Sequence, residues 1–274
     1  MSSFALLDVA HRYRRCLTVS AVAVGLLATV TGCATKGVPY QTPESSSASA
    51  TPATTAPTSA ANPLPTASMT PLPAASGQLT GTDLEQVLLP ASDFPAGFAA
   101  SSSGPVTSGG SLTSGAAAYP LATVSCSDFV QHLGSTGFGE TAMAADSVVG
   151  TDQAYDQLIY QFPTASAATA FVAGLVPLAA RCKSFTAPAD GGTGTFALKA
   201  APGGTLAGRP TVDLLQTGKV TGSALTLNTL FTASGVDVFG AAVVGLGTGA
   251  PAVPANETVI YNLMKRQAAA AVLG

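Results

Sequence analysis

The sequence is poor in charged side chains. They make up 9% of the 274 residues, against about 25% in ordinary soluble proteins. The basic residues of the carboxy-terminal half, such as Lys199, Arg209 and Lys219, are scattered. Nucleic-acid binding needs a basic stripe that displaces counterions from phosphates, and an anionic lipid surface needs a polybasic patch. We therefore expect neither as a partner.

Histidine is also scarce, which limits the chemistry open to the chain. Two histidines occur, and His132 is the only one after residue 32. A zinc site made from two cysteines and His132 would lack a fourth ligand of the usual kind. A Ser-His-Asp hydrolase would depend on His132 and on a G-x-S-x-G turn that the sequence does not contain. We expect no metal, no cofactor and no enzymatic activity.

Two other motifs could carry chemistry in principle. Asp152 and Asp156 could serve as an acid–base pair of the glycosidase kind, but they flank a predicted turn, where carboxylates are usually just solvated. The run 245–249 is rich in glycine, as in a phosphate-binding loop, but no lysine follows it and Pro251 precludes an immediate helix. A plain turn is the favoured interpretation there.

The amino terminus has the layout of a signal peptide. Arg12, Arg14 and Arg15 precede an uncharged stretch whose apolar centre runs from Leu17 to Val30. That centre is about 14 residues long, whereas a membrane-spanning helix needs roughly 20, so a permanent transmembrane helix is the weaker alternative. Removal of residues 1–32 reduces the basic residues from 11 to 8 and the acidic residues from 14 to 13, which leaves a net charge of −5.

The signal peptide ends in a sequence that resembles a bacterial lipobox, Val30-Thr31-Gly32-Cys33. A thiolate is the nucleophile that accepts a diacylglyceryl group as a thioether, and two acyl chains anchor a protein stably. We predict lipidation of Cys33, with palmitate among the acyl chains. The predicted location is the extracytoplasmic face of the cell membrane; ordinary secretion, with Cys33 as an incidental thiol, is the alternative.

Residues 33–78 are predicted to form a disordered stalk behind the lipid. Ser, Thr, Ala and Pro dominate this segment, and it cannot bury enough apolar area to offset its ordering entropy. The prolines favour an extended spacer, and the hydroxyl-rich composition hints at O-glycosylation.

Two of the four cysteines remain after Cys16 leaves with the signal peptide and Cys33 receives its lipid. Outside the cytoplasm Cys126 and Cys182 are expected to oxidise to a disulfide, which would contribute roughly 4 kcal/mol in the chain-entropy model. Two free buried thiols are the alternative.

Residues 79–274 are predicted to fold as one α+β domain, with helices packed on an antiparallel sheet. Its strands are expected from their alternation and its helices from apolar positions at helical spacing. The predicted strands are 142–149, 154–162, 195–199, 211–217, 224–232 and 236–244, and the predicted helices are a short one before Pro90, 127–133, 164–182 and 256–273.

Several local details accompany this prediction. Thr82 and Glu85 match a capping box, and residues 99–118 are expected to form a mobile loop. Pro177 should kink the long helix or break it near Val176. Asn256 is a plausible cap of the last helix, whose buried stripe is Val259, Ile260, Leu263 and Met264. Leu225, Leu227, Thr229 and Phe231 should share one strand face.

Three segments of this domain together resemble a known family. They are the run 88–98 with the sequence LLPASDFPAGF, Cys126 at the start of a short helix, and the run 160–164, YQFPT, leading through an Ala-rich helix to the run 181–185, RCKSF. This order is similar to actinobacterial envelope lipoproteins whose domain resembles the extracellular sensor domain of the mycobacterial kinase PknH.

The resemblance implies a cleft-bearing, disulfide-bonded α+β domain that binds an envelope ligand or partner and is not itself an enzyme. The kinase sensor domain is expected to carry two disulfides, whereas this domain has cysteines for one. Two hypotheses follow: a module that binds or senses a lipid, glycan or wall fragment, or a protein-interaction lipoprotein that uses a flat apolar patch.

Overall fold

The computed structural model describes most of the predicted domain. The described residues are 69–74, 77–94, 96–101, 103–108, 120–150, 153–189, 192–220, 223–245 and 254–273. The predicted signal peptide, Cys33, most of the predicted stalk and Asp152 lie outside these residues. Of the described helices, none combines the length and the apolar character that crossing a membrane requires.

One antiparallel sheet of nine strands forms the centre of the described structure. Its spatial order is β1-β3-β4-β9-β8-β7-β6-β5, and β2 also pairs with β3. Strands β6 to β9 pair antiparallel in sequence order, which confirms the predicted meander. The strands are β1 Ala99–Ala100, β2 Val106–Ser108, β3 Ala142–Val149, β4 Gln153–Gln161, β5 Phe185–Ala189, β6 Gly192–Leu206, β7 Arg209–Val220, β8 Ser223–Ser234 and β9 Asp237–Gly245.

Helices pack on both faces of this sheet, so the α+β prediction is confirmed. The helices are α1 Gly81–Val87, α2 Cys126–His132, α3 Ala165–Arg181 and α4 Pro254–Leu273, with a 3-10 turn at Ala91–Asp93. Helices α2 and α3 lie on one face, which we call the α3 face. Helices α1 and α4 lie on the other, the α4 face.

The predicted alternation places the core side chains correctly. Leu225, Leu227 and Phe231 of β8 are buried in the cluster beneath α3, since successive side chains of a strand point to opposite faces. Leu230, on the opposite side of β8, is buried beneath α4. The predicted stripe of α4 is confirmed as well: Val259, Ile260, Leu263 and Met264 are all buried there.

The capping box of α1 lies two residues before the predicted one. Thr80 is the cap: its Oγ1 accepts from the Asp83 amide at 3.2 Å, and the Asp83 carboxylate accepts from the Thr80 amide at 3.1 Å. Thr82 and Glu85 have the same three-residue spacing, but Thr80 and Asp83 form the capping box, so the predicted position was wrong by two residues. In the helix that begins after Thr80, Leu84 is buried against the sheet.

Three further expectations are corrected. Helix α3 continues through Pro177 to Arg181, so the expected break near Val176 does not occur, because buried Leu178 and the disulfide at Cys182 hold the last turn in place. The alternative expectation, a kink at Pro177, stays a prediction. Asn256 lies inside α4, where its Nδ2 donates to the Asn228 carbonyl at 3.0 Å rather than capping the helix. Within the expected mobile loop, β1 and β2 pair with β3, while residues 109–119 lie outside the described part of the chain.

Residues 69–74, assigned to the stalk by sequence, pack on the domain. Met69 and Leu72 contact the cluster beneath α4. The Arg209 guanidinium donates to the Leu72 carbonyl at 2.6 Å, and the Tyr261 hydroxyl donates to the Thr70 carbonyl at 3.4 Å. The chain therefore meets the domain beside α4 and the β6–β7 turn.

Candidate functional site

The predicted disulfide is present and joins two helices on the α3 face. Cys126 begins α2 and Cys182 caps α3, with their Cα atoms 5.5 Å apart and a separation of 56 positions in sequence. Arg181 adds a second link, because its guanidinium donates to the Leu121 carbonyl at 2.8 Å. Together these contacts hold the segment before α2 against the end of α3.

A glycine-rich loop follows α2 and closes over a buried carboxylate. The two oxygens of Glu140 each accept a backbone amide hydrogen at 2.8 Å, one from Gly137 and one from Phe138. Burial raises the pKa of Glu140, and these amides together with nearby His132 offset the rise only in part. This carboxylate holds the loop from inside and is only 1% exposed, so its geometry is that of a structural group.

The predicted hydrolytic candidates occupy structural positions too. The Nδ1 atom of His132 lies 2.7 Å from the Asp128 carbonyl, and its ring meets the Phe138 ring edge-on at 6.4 Å. Asp156 accepts a hydrogen bond from the Ser147 hydroxyl across the β3–β4 pair at 2.6 Å. Among the described residues, no group of three His, Cys, Asp or Glu side chains could hold a metal ion.

The α4 face is divided into a covered part and an accessible part. Helix α4 contacts β8 and β9, and α1 contacts β2 and β3. On this face, the side chains of β6 and β7 that lie beyond α4 are exposed or half-buried. We call them the open face; its residues are Thr195, Ala197, Lys199 and Ala201 of β6 and Asp213, Leu215, Thr217 and Lys219 of β7.

One carboxylate on the open face lacks a partner. The Asp213 side chain is half-buried, its Oδ1 atom is inaccessible and accepts no hydrogen bond, and no ion pair joins it to Lys199 or Arg209. Burial alone raises the pKa of Asp213. Within the described part of the chain, this carboxyl group is thus desolvated without receiving a cation or a donor.

A β-bulge between Pro202 and Gly204 makes room for this carboxylate. A Cβ atom built on Gly203 would lie 2.6 Å from Asp213 Oδ2 and 2.7 Å from Thr211 Oγ1. Any other residue at Gly203 would therefore collide with both side chains. Thr211 is 4% exposed, and its hydroxyl also lacks a partner, so an unsatisfied hydroxyl and the Asp213 carboxylate both lie against the bulge.

The chemistry of this site is that of an acceptor. An unpaired polar atom left in a protein interior costs about 1–3 kcal/mol, and such atoms concentrate where a structure has a task beyond stability. A hydroxyl or ammonium group could donate to Asp213 from solvent, since that side chain is the accessible part of the pair. We take Asp213, Thr211 and Gly203 as the candidate site.

The sequence predicted the disulfide, which the structure confirms, but it did not predict this site. Asp213 falls within the predicted strand 211–217 without a role, and Gly203-Gly204 lies in a gap between predicted strands, although both glycines belong to β6 in the structure. The bulge was the available signal: paired glycines inside a strand favour a bulge, which re-aims the residues opposite.

Comparison with known proteins gives a structural neighbour but shows no family. The extracellular domain of PknH from Mycobacterium tuberculosis is a solved structure similar to this chain, with 15% identity, a TM-score of 0.45, and coverage of 72% of this chain and 99% of that chain. No protein-family model and no curated protein sequence matches the chain. Because the TM-score is below 0.5, the fold class rests on the strand pairing described above.

Proposed function

We propose that this chain is a lipoprotein of the cell envelope, anchored to the extracytoplasmic face of the membrane through Cys33. The signal-peptide layout of residues 1–32 and the lipobox ending in Cys33 support this proposal. The Cys126–Cys182 disulfide agrees with it, because disulfides persist in oxidising compartments.

The anchor is tested by removing its one thiol. A Cys33→Ala variant expressed in a lipoprotein-processing actinobacterium should leave the membrane fraction and should no longer incorporate radioactive palmitate. Cys16→Ala is the matched control, because Cys16 lies within the segment that the peptidase removes. Palmitate incorporation that persists in Cys33→Ala would overturn the proposal.

We further propose that the domain binds or senses an envelope ligand and performs no catalysis, with the open face as its binding surface. The single observation that carries this is the desolvated Asp213 carboxylate, which the protein itself leaves without a partner. A carboxylate selects ligands with hydrogen-bond donors. Glycan or wall-fragment hydroxyls and amines therefore fit this surface better than lipid tails do.

The protein-interaction alternative receives less support from the surface. It predicts a flat exposed apolar patch, whereas Val106 is the one large hydrophobic side chain exposed among the described residues. Contiguous apolar patches mark many protein-interaction sites. We therefore favour the ligand-binding role, with no nucleic-acid partner.

A matched pair of substitutions tests the open face. Ala201 is exposed and lies directly opposite Asp213 in the β6–β7 pairing, so Ala201→Arg places a competing cation beside the carboxylate. Ala173→Arg, on the exposed side of α3, adds the same charge elsewhere. The mature protein should bind sedimentable cell-wall material, and Ala201→Arg should weaken this binding at least about tenfold, or about 1.4 kcal/mol.

Asp213→Asn should weaken wall binding in the same assay, since the amide is neutral, whereas Ala173→Arg should bind as the unmodified protein does. Equal binding by Ala201→Arg and Ala173→Arg would exclude the open face as the site. Absence of any binding to wall material would overturn the ligand class.

A further inference from the structure

The open face carries charges of both signs. Lys199 of β6 and Lys219 of β7 are exposed, and Asp213 of β7 is half-buried. Lys199 lies opposite Leu215 in the β6–β7 pairing, and Asp213 is two residues from Leu215 on the same strand. Asp213 is therefore the diagonal neighbour of Lys199. Lys219 lies further along β7, roughly 20 Å from Asp213 at the spacing of extended strand residues.

The carboxylate and the nearest ammonium group on this face are not joined to each other. Diagonal neighbours in an antiparallel pair lie roughly 7 Å apart at their Cβ atoms. Among the described residues, Asp213 Oδ1 accepts no hydrogen bond and no ion pair joins this side chain to Lys199. Arg209, whose side chain lies on the same side of β7, donates to the Leu72 and Ala207 carbonyls instead. The face therefore presents one cation and one anion with a gap between them.

Small side chains leave this gap open to solvent. Ala197 and Ala201 flank Lys199 on the same side of β6, and each adds only a methyl group. Half-buried Leu215, opposite Lys199, supplies an apolar floor. None of the residues that define the open face is aromatic. Sugar rings are held mainly by stacking on large aromatic side chains, so this surface does not suit a glycan strand.

We propose that the open face binds an amino-acid zwitterion, an amino group and a carboxylate on the same carbon, which a wall peptide displays between Asp213 and Lys199. This inference rests on the function proposed above and narrows its ligand class to peptides. The ligand ammonium donates to the Asp213 carboxylate, and the Lys199 ammonium donates to the ligand carboxylate. With a hydrogen bond of about 2.8 Å at each end, such a group spans about 8 Å, which the Lys199 side chain reaches from its diagonal position.

The two protein charges together select against ligands that carry a single charge. A simple anion is attracted by Lys199 but repelled by Asp213, and a simple amine is attracted by Asp213 but repelled by Lys199. A neutral hydroxyl engages Asp213 without any gain from Lys199. The mixed charge of the face therefore favours the zwitterion both by attraction and by exclusion of the alternatives.

Chemical modification of sedimentable cell-wall material tests this ligand class with the mature full chain. Acetic anhydride blocks the free amino groups of the wall, carbodiimide with ethanolamine converts its carboxyl groups to amides, and periodate oxidises its sugars. The first two treatments should each weaken binding of the unmodified protein about threefold to fivefold, the effect of one accessible ion pair. Periodate should leave the binding unchanged.

Two lysine variants form the matched pair. Lys199→Gln should weaken binding to untreated wall about threefold to fivefold and should respond no further to amidation, because the partner of the wall carboxylate is already absent. Lys219→Gln removes the same charge from the same face at a distant position and should bind as the unmodified protein does. Both lysines are exposed, so neither variant perturbs the core. Asp213→Asn should be insensitive to acetylation of the wall, since it has lost the partner of the ligand ammonium.

Equal losses in Lys199→Gln and Lys219→Gln would overturn the zwitterion, because they would indicate general charge attraction. Loss of binding after periodate, with no effect of the other two treatments, would assign the face to glycans instead. In either case a weakened Ala201→Arg would leave the open face as the binding surface, so the two proposals fail separately. Absence of binding to untreated wall would overturn both.

Discussion

The two parts of the α4 face differ in how their strands are used. Strand β9 lies between helices on both sides of the sheet, and its side chains from Val238 to Val244 are buried throughout. Strands β6 and β7 pack under α3 on one side and are largely accessible on the other, so buried Phe196 and Leu198 alternate with accessible Ala197 and Lys199. One sheet thus contains strands that are buried on both faces and strands that are buried on one face and accessible on the other.

The largest expected difference between these parts comes from truncating one apolar side chain in each. Phe239→Ala should lower the free energy of unfolding by about 3–5 kcal/mol, because Phe239 is 1% exposed beneath α4. Leu215→Ala, on the half-buried open face, should cost under about 1 kcal/mol. Urea unfolding midpoints measure both, and similar costs would show that the open face is in fact covered.

Removing the disulfide tests how much the link between α2 and α3 contributes to the stability of the α3 face, where both helices pack on the sheet. Replacing both Cys126 and Cys182 by Ser should lower the free energy of unfolding by roughly 2–4 kcal/mol, because the bond closes a long loop in the unfolded chain. Thermal unfolding with and without dithiothreitol provides the measurement. The reductant should destabilise the unmodified protein and leave the double variant unchanged; an insensitive unmodified protein would contradict the prediction.

The smallest expected effect concerns the pH dependence of stability at Asp213. Because burial raises its pKa, the folded state holds this proton more tightly than the unfolded chain does. Its contribution to stability is present below about pH 3.9 and is lost as pH rises through the raised pKa. Asp213→Asn should therefore match the unmodified protein at pH 3.5 and unfold at a slightly higher temperature at pH 7.5. A lower unfolding temperature at pH 7.5 would reveal an internal partner of the carboxylate.

The predictable elements were those whose burial follows a simple period. The two-residue alternation of β8 and the helical spacing of α4 predicted which side chains are buried on each face of the sheet. The expected export to an oxidising compartment predicted the Cys126–Cys182 disulfide. Strand β5 was missed: Phe185–Ala189 is short, and Pro188 argues against a strand unless it lies at a sheet edge, which is where β5 is found.

The candidate site was beyond sequence reasoning because it depends on a register shift. The position of Asp213 becomes unusual only because the bulge places Gly203 of β6 against the Asp213 and Thr211 side chains of β7, and that contact joins residues from two strands. Likewise, nothing local in the sequence marks Gln161 of β4 and Gln267 of α4 as the amides that donate to the buried Asp237 carboxylate of β9. Their polarity conflicts with burial, and only the tertiary contacts resolve the conflict.

The packing of residues 69–74 has a mechanical consequence for a tethered domain. Tension on the chain before Met69 would be carried first by the Leu72–Arg209 and Thr70–Tyr261 hydrogen bonds. The load would then pass to the β6–β7 turn and to α4, at the border of the open face. Stretching the tether would thus deform the rim of the platform before it strained the core.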